Sequence, residues 1–401
     1  MKNVILPLFL SIFISFNLSA QNYVRPEHQH FFEDKYQFSA SIVQPDGKII
    51  LAGQVESIEG IDIIVMRFWP DGKFDNDFGI EGKTGIDIEA SSDLVNDMAL
   101  QADGKIVLVG QNGDYPQARI SVIRLTKDGH LDRSFGNEGW SIHKVGSICM
   151  ANAIAIDNNQ NIVVAGLSKS GGYHGTTLLR FLPNGHLDAS FGKAGVSVFA
   201  ATQYDDEVTD LLLQNNGDIL VAGKKNILQF AVDGKFNQIL HDIKGGVAMA
   251  SLDNDAFLVA STYFEAQKLG FQVARYQADG SLDKSFGKDG IVRHAIAIDF
   301  DASVSAISLQ EDGKIILGGQ VDSSEDMPES DIALLRLLAN GEVDTDFGKD
   351  GVILTELTAE DEALKTVVAH PNGSLLLLGS SWGTDLSSIF GILRLKDSTL
   401  R

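Results

Sequence analysis

Cysteine is all but missing from this 401-residue chain: Cys149 is the only one, so no disulfide can form within it. Proline is scarce, with 8 residues, which suits paired strands because proline cannot donate to a ladder. Positive charge is in deficit. Lysine and arginine total 32 against 54 aspartates and glutamates, a formal net charge of -22. Phosphate binding needs clustered Lys and Arg, so nucleic acid is not an expected partner. The 9 histidines are scattered without zincin spacing, so no zinc site is expected. No Gly-x-Ser-x-Gly elbow is present. Beyond the N-terminus no apolar run is long enough to span a bilayer.

What is present begins with residues 1–20, which read as a secretory signal peptide. Lys2 supplies the charged n-region, Val4 to Phe16 the apolar run, and Leu18-Ser19-Ala20 the cleavage site. The mature chain is then 21–401. Secretion without disulfides fits a bacterial periplasm or exterior. Cys149 sits in the apolar run Ile148 to Ile156 and reads as a buried structural thiol.

One phrase then recurs: a strand, an Asp-Gly-Lys turn, and a strand ending in Gly. It stands as Pro45 to Gly53 and Ala102 to Gly110, and returns in altered form five more times. The turn positions are Gly47, Gly104, Gln160, Gly217, Asp255, Gly313 and Gly373. The fourth unit is shortened. Each unit holds four runs rich in Val, Ile and Phe, bounded by Gly, Asp and Pro. In the first unit these are Phe38 to Val43 (strand A), Lys48 to Ala52 (B), Ile63 to Trp69 (C) and Lys83 to Glu89 (D). Short Asp-Gly connections favour hairpins, and helical periodicity is hard to find.

Four antiparallel strands per unit at this period predict an all-β, seven-bladed β-propeller, with a linear β-solenoid as its rival. The units fall at about 37–90, 93–146, 149–202, 205–245, 246–300, 301–357, and 360–401 plus 21–34. The seventh unit has its strand C at Phe390 to Leu395 and needs a strand D. Pro26 to Phe32 is expected to supply it and so to close the ring.

The phrase Arg67-Phe-Trp-Pro-Asp-Gly-Lys-Phe-Asp-Asn-Asp-Phe-Gly79 recurs at Arg124 to Gly136, Arg180 to Gly192, Arg275 to Gly287 and Arg336 to Gly348. This pattern resembles the delta-60 repeat family of secreted bacterial proteins over almost the whole mature chain. The fourth unit departs from it, with Gln229 in place of the Arg and no Phe-Gly. The resemblance implies a propeller-like repeat and carries no established activity.

Within the phrase, an Arg and an Asp stand eight residues apart in five units: Arg67 and Asp75, Arg124 and Asp132, Arg180 and Asp188, Arg275 and Asp283, Arg336 and Asp344. In the fourth unit both change together, to Gln229 and Asn237. A charge pair exchanged for a neutral hydrogen-bonding pair predicts direct contact across the C–D turn. The structural reading is a clamp; the rival is a ring of ligand-binding arginines. The Phe-Gly-x-x-Gly element lacks the Lys-Ser or Lys-Thr of a P-loop, so its Phe is expected to pack between blades. Asp-rich stretches such as Asp71 to Asp77 invite Ca2+, but they miss EF-hand spacing, and turn chemistry accounts for them. No cofactor is expected, and Ca2+ is the one ion left open.

The B–C and D–A loops vary in length and share one face, where binding usually resides on a rigid scaffold. Tyr115, Tyr173, Tyr263 and Trp382 on these loops are candidates to stack on a sugar or grip a peptide. Acidic stretches there include Asp205 to Glu207, Glu325 to Glu329 and Glu360 to Glu362. Asp97 and Asp210 hold matching starts of strand A and are the best carboxylates for a site at the channel mouth. The leading expectation is a monomeric, secreted binding or scaffold protein with a carbohydrate or protein ligand. The alternatives are a hydrolase or lyase working at the central channel, and a cell-surface structural module.

Overall fold

The computed structural model describes residues 28–31, 36–57, 60–88, 91–170, 173–199, 207–240, 247–265, 268–296, 301–322, 330–355, 361–370, 373–382 and 388–395. They form seven four-stranded antiparallel sheets. Blade 1 is β2 (Tyr36–Val43), β3 (Ile49–Glu56), β4 (Ile61–Phe68) and β5 (Lys83–Ile86); β1 (His28–Phe31) precedes it in the chain. Blade 2 is β6 (Asp93–Leu100), β7 (Ile106–Asn112), β8 (Arg119–Leu125) and β9 (Trp140–His143). Blade 3 is β10 (Ile148–Ile156), β11 (Ile162–Ser170), β12 (Tyr173–Phe181) and β13 (Val196–Phe199). Blade 4 is β14 (Val208–Leu213), β15 (Ile219–Gly223), β16 (Ile227–Phe230) and β17 (Phe236–Leu240). Blade 5 is β18 (Ala248–Ser251), β19 (Phe257–Glu265), β20 (Lys268–Tyr276) and β21 (Ile291–His294). Blade 6 is β22 (Ala302–Leu309), β23 (Ile315–Asp322), β24 (Ser330–Leu337) and β25 (Val352–Thr355). Blade 7 is β26 (Asp361–Ala369), β27 (Leu375–Trp382) and β28 (Ser388–Leu395), and β1 lies antiparallel to β28 with His28 opposite Arg394.

The A–B hairpins follow from left-handed backbone at the turn. Gly47, Gly104 and Gly217 take φ of 81°, 83° and 89°. The two units without glycine there adopt the same region at some steric cost, Gln160 at φ 63° and Asp255 at φ 61°. Strand D ends sooner than the sequence suggests, at Ile86 rather than Glu89. The Asp93 carboxylate accepts the Ile88 N–H at 2.7 Å and draws the chain out of the ladder.

The core sits between blades. One apolar cluster joins Ile50, Val65 and Phe78 of blade 1 to Val95, Ile106 and Leu108 of blade 2. An equivalent cluster joins each successive pair, and the last joins Leu376 and Leu378 of blade 7 to Phe38, Leu51 and Met66 of blade 1. Central strands are apolar on both faces because each face packs on a neighbouring blade; β7 reads Ile-Val-Leu-Val and buries all four. Cys149 belongs to this packing, fully buried, with its Sγ accepting the Val145 N–H at 3.2 Å.

The Phe of each Phe-Gly element is fully buried at Phe78, Phe135, Phe191, Phe286 and Phe347. Each packs at a blade junction: a Cβ on Gly129 of blade 2 would lie 2.7 Å from the Phe78 ring. Truncating such a Phe to Ala costs about 3–5 kcal/mol.

Candidate functional site

Three features were candidates for chemistry: the Arg–Asp pairs, the channel carboxylates and the loop aromatics. In the first, Arg67 Nε donates to Asp75 Oδ2 at 2.7 Å. The same bond is 2.8 Å in Arg124–Asp132, Arg180–Asp188, Arg275–Asp283 and Arg336–Asp344. The guanidinium has two further engagements. It lies over the Phe of its own blade, 4.7 Å from the Phe78 centroid for Arg67. Its Nη1 donates to a turn carbonyl of the next blade: Arg67 to Lys127 O at 2.6 Å, Arg180 to Val232 O at 2.6 Å, Arg275 to Ala339 O at 2.7 Å, and Arg124 to Pro183 O. The pairs therefore tie blade to blade as well as strand to strand. Burial raises the Asp75 carboxyl, but Lys48 and Arg67 together hold it below its ordinary value.

Sequence reasoning overlooked the arginine of blade 7. Arg394 Nη1 donates to Pro70 O of blade 1 at 2.7 Å. The signal was legible in Leu393-Arg394-Leu395, which repeats Leu335-Arg336-Leu337.

Blade 4 corrects one expectation. Gln229 is buried, but its partner is Gln238, whose Nε2 donates to Gln229 Oε1 at 2.7 Å; Asn237 is exposed. With no Phe-Gly insertion, β17 pairs directly with β16, and a bulge sets Gln238 opposite Gln229 and leaves Asn237 without a cross-strand partner, both residues being exposed. The relay continues. Gln229 donates to Gln214 at 3.2 Å, and Gln214 donates to Ala278 O of blade 5 at 3.1 Å. Three glutamine amides thus do what one guanidinium does elsewhere.

The central channel is built from the innermost strands. Six of them carry a β-bulge at the same place: Phe38/Ala40, Val95/Asp97, Ala151/Ala153, Val208/Asp210, Val304/Ala306 and Leu364/Thr366. The skipped residues are Ser39, Asn96, Asn152, Thr209, Ser305 and Lys365. All are polar, and all line one axial cavity of about 280 Å³. A bulge re-aims side chains in this way. Sequence reading missed the ring, although aligning the units shows a polar residue directly before the Ala, Asp or Thr position.

Asp97 and Asp210 line the same cavity. They are not at strand starts by the channel mouth, as the repeat alignment suggested. They sit inside β6 and β14, immediately after the bulge, because the innermost strands begin earlier than the apolar pattern shows. Each carboxylate accepts two backbone N–H groups. Asp97 takes Met98 at 2.8 Å and Ile154 of blade 3 at 2.9 Å; Asp210 takes Leu211 at 2.7 Å and Met249 of blade 5 at 2.6 Å. Burial, joined by the negative charge of Asp210, pushes Asp97 up to about 7 against these bonds, and burial pushes Asp210 up to about 6.

Of the loop aromatics, Tyr115 is 74% exposed. Tyr263 is half-buried, its ring 5.9 Å from the Arg293 guanidinium carbon. Tyr173 opens β12 opposite Ser170, and Trp382 closes β27 opposite Asp361 and Ser388; their side chains lie outside what the structure describes. Phe264, which sequence reading passed over, is 70% exposed beside Tyr263. Glu362 was expected in an exposed acidic loop. It lies instead in β26, buried, with its N–H on Ser330 Oγ at 3.2 Å. Asp205, Asp206, Glu325, Asp326, Glu329 and Glu360 fall outside the described residues. Among the described residues no three His, Cys, Asp or Glu group to hold a metal ion. No helix among them is long and apolar enough to cross a membrane.

Five segments of the chain, residues 44–78, 101–135, 161–191, 258–286 and 310–347, match the family described as "Domain of unknown function (DUF5122) beta-propeller". These segments are similar to the β-propeller repeats of that family. No curated protein matches it. Among solved structures, it is similar to the WD40 domain of Neurospora crassa Pan2, at 11% identity over 91% of this chain and 97% of that one, TM-score 0.49. It is also similar to a Bacteroides caccae protein of unknown function, at 14% identity over 77% and 98%, TM-score 0.43. A third is Chaetomium thermophilum Sqt1, at 9% identity over 92% and 100%, TM-score 0.46.

Proposed function

We propose that this protein is a secreted binding or scaffold propeller that engages a carbohydrate or protein ligand through the face bearing its B–C and D–A loops. The observation that carries the reading is the exposure of Tyr115 and Phe264, at 74% and 70%, at two separate B–C connections on that face. Large aromatics held in solvent on a rigid scaffold supply contact area at little entropic cost. The opposite face differs: its C–D turns are stereotyped and their arginines are engaged by the fold.

The enzyme reading is less favoured. Asp97 and Asp210 hold backbone N–H groups of the following blade, which is a bracing role. The cell-surface module remains the third reading. The monomeric state, the delta-60 assignment, the signal peptide and export to the periplasm or exterior belong to the same proposal. So does closure of the ring by β1 against β28, which the register His28 to Arg394 supports.

The test is a glycan and peptide array probed with purified protein, with and without Ca2+, followed by titration of hits against Tyr115→Ala and Phe264→Ala. The expected result is saturable binding that weakens about tenfold or more in at least one variant. Binding that both substitutions leave unchanged would remove the loop face from the proposal.

A further inference from the structure

We propose that the axial cavity is a binding site for a small organic cation bearing primary ammonium groups, held between Asp97 and Asp210. The site stands apart from the loop face and does not rest on that reading.

The cavity is constructed rather than left over. The same bulge in six blades turns a polar residue onto one axis, while Ala40, Ala248 and Ala306 keep the wall close to the backbone. At about 280 Å³ it holds the volume of roughly nine waters, or a short chain of heavy atoms. Its chemistry is biased toward acceptors. A carboxylate offers about four lone-pair sites, and Asp97 and Asp210 each use two on backbone donors. Ser41 Oγ and Asn152 Oδ1, on two other lining residues, are buried and have no hydrogen-bond partner among the described residues. Ser39 already gives its hydroxyl to Gln54, and Asn96 its amide to Ala151 O.

The charges settle the ligand class. Two carboxylates line the cavity and the charge of Asp210 acts on Asp97, so the pair repels itself. Lys365, exposed at the bulge of blade 7, is the one cation among the lining residues. A primary ammonium brings a positive charge and three donors to a site short of both. A neutral polyol would leave the repulsion in place. Among the described residues no three His, Cys, Asp or Glu side chains group there to hold a metal ion.

The experiment is calorimetric titration of the full protein at pH 8 with 1,4-diaminobutane, 1,4-butanediol and CaCl2. We expect saturable binding of the diamine alone. Asp210→Asn and Asn152→Ala should weaken it, the former by about tenfold or more. Lys365→Ala should tighten it by about two- to fivefold, the reverse of what loss of structure would do. The Tyr115→Ala, Phe264→Ala double variant should bind the diamine as wild type does, which separates this site from the loop face. Absence of diamine binding, butanediol binding as tightly, Ca2+ displacing the diamine, or weaker binding in Lys365→Ala would each overturn the proposal.

Discussion

Arg394 reaches across 324 positions of sequence to donate its Nη1 to the Pro70 carbonyl at 2.7 Å. It makes across the blade 7–blade 1 seam the bond that Arg67 makes from blade 1 to Lys127 O of blade 2. A charge-assisted hydrogen bond of this kind is worth about 1.5–3 kcal/mol. Arg394→Ala is therefore expected to lower unfolding stability by that amount in urea. Amide exchange should rise selectively at Lys48 and Lys73, in the blade 1 turns facing the seam. Uniform exchange across all blades would show that the bond does not hold this seam in particular.

The pair Arg124–Asp132 is nearly dry, with the residues 5% and 7% exposed. Removing one member leaves a buried charge without its partner, a loss of about 3–5 kcal/mol. Asp132→Ala should therefore destabilise more than the double change Arg124→Gln plus Asp132→Asn, which keeps hydrogen bonds and removes both charges. Thermal melts at pH 7 decide the matter: coincident midpoints for the two variants would mean that contact between the pair is not what stabilises the turn.

In blade 4 the order of sensitivities should follow the relay rather than the eight-residue spacing. Gln238→Ala strands the buried Gln229 amide oxygen, at a cost of about 1–3 kcal/mol. Asn237→Ala removes an exposed side chain and should stay within about 0.5 kcal/mol of wild type. Chemical denaturation of the two single variants is sufficient. The reverse order would restore the Gln229–Asn237 pairing read from the sequence.

That reversal shows where legibility ended. The blades were readable because Asp-Gly turns and Val/Ile-rich runs are local, and the clamps because Arg and Asp recur at one spacing. The pairing of Gln229 was not readable. Without the Phe-Gly insertion a bulge sets Gln238 rather than Asn237 opposite Gln229, and the count of eight carries no record of that. Asp97 and Asp210 were found as candidates but placed at strand starts, because a bulge shifts pairing by one without altering composition. Arg394 was missed because its signal is the Leu-Arg-Leu triplet shared with Leu335 to Leu337 and not the eight-residue spacing. Glu362 was misplaced because an acidic run reads as exposed until a sheet buries one of its members.

Asp97 and Asp210 also predict the direction in which stability responds to pH. Burial raises both above the unfolded value of about 3.9, Asp97 to about 7 and Asp210 to about 6. Across that window the folded state binds more protons than the unfolded one. The contribution of these groups is thus fully present below about pH 4 and is lost as pH rises through 6 and 7. Asp93, raised to about 6 by burial, adds to the trend. His143 and His294, lowered by burial, oppose it. A substitution isolates the aspartates from this background. Asn keeps an acceptor for the backbone N–H and never ionises, so Asp97→Asn should gain stability relative to wild type between pH 5 and pH 8, by roughly 1–3 kcal/mol. Urea midpoints at the two pH values measure the difference. A difference that stays flat, or moves in favour of wild type at pH 8, would mean that Asp97 is ionised throughout the range and that channel water solvates it.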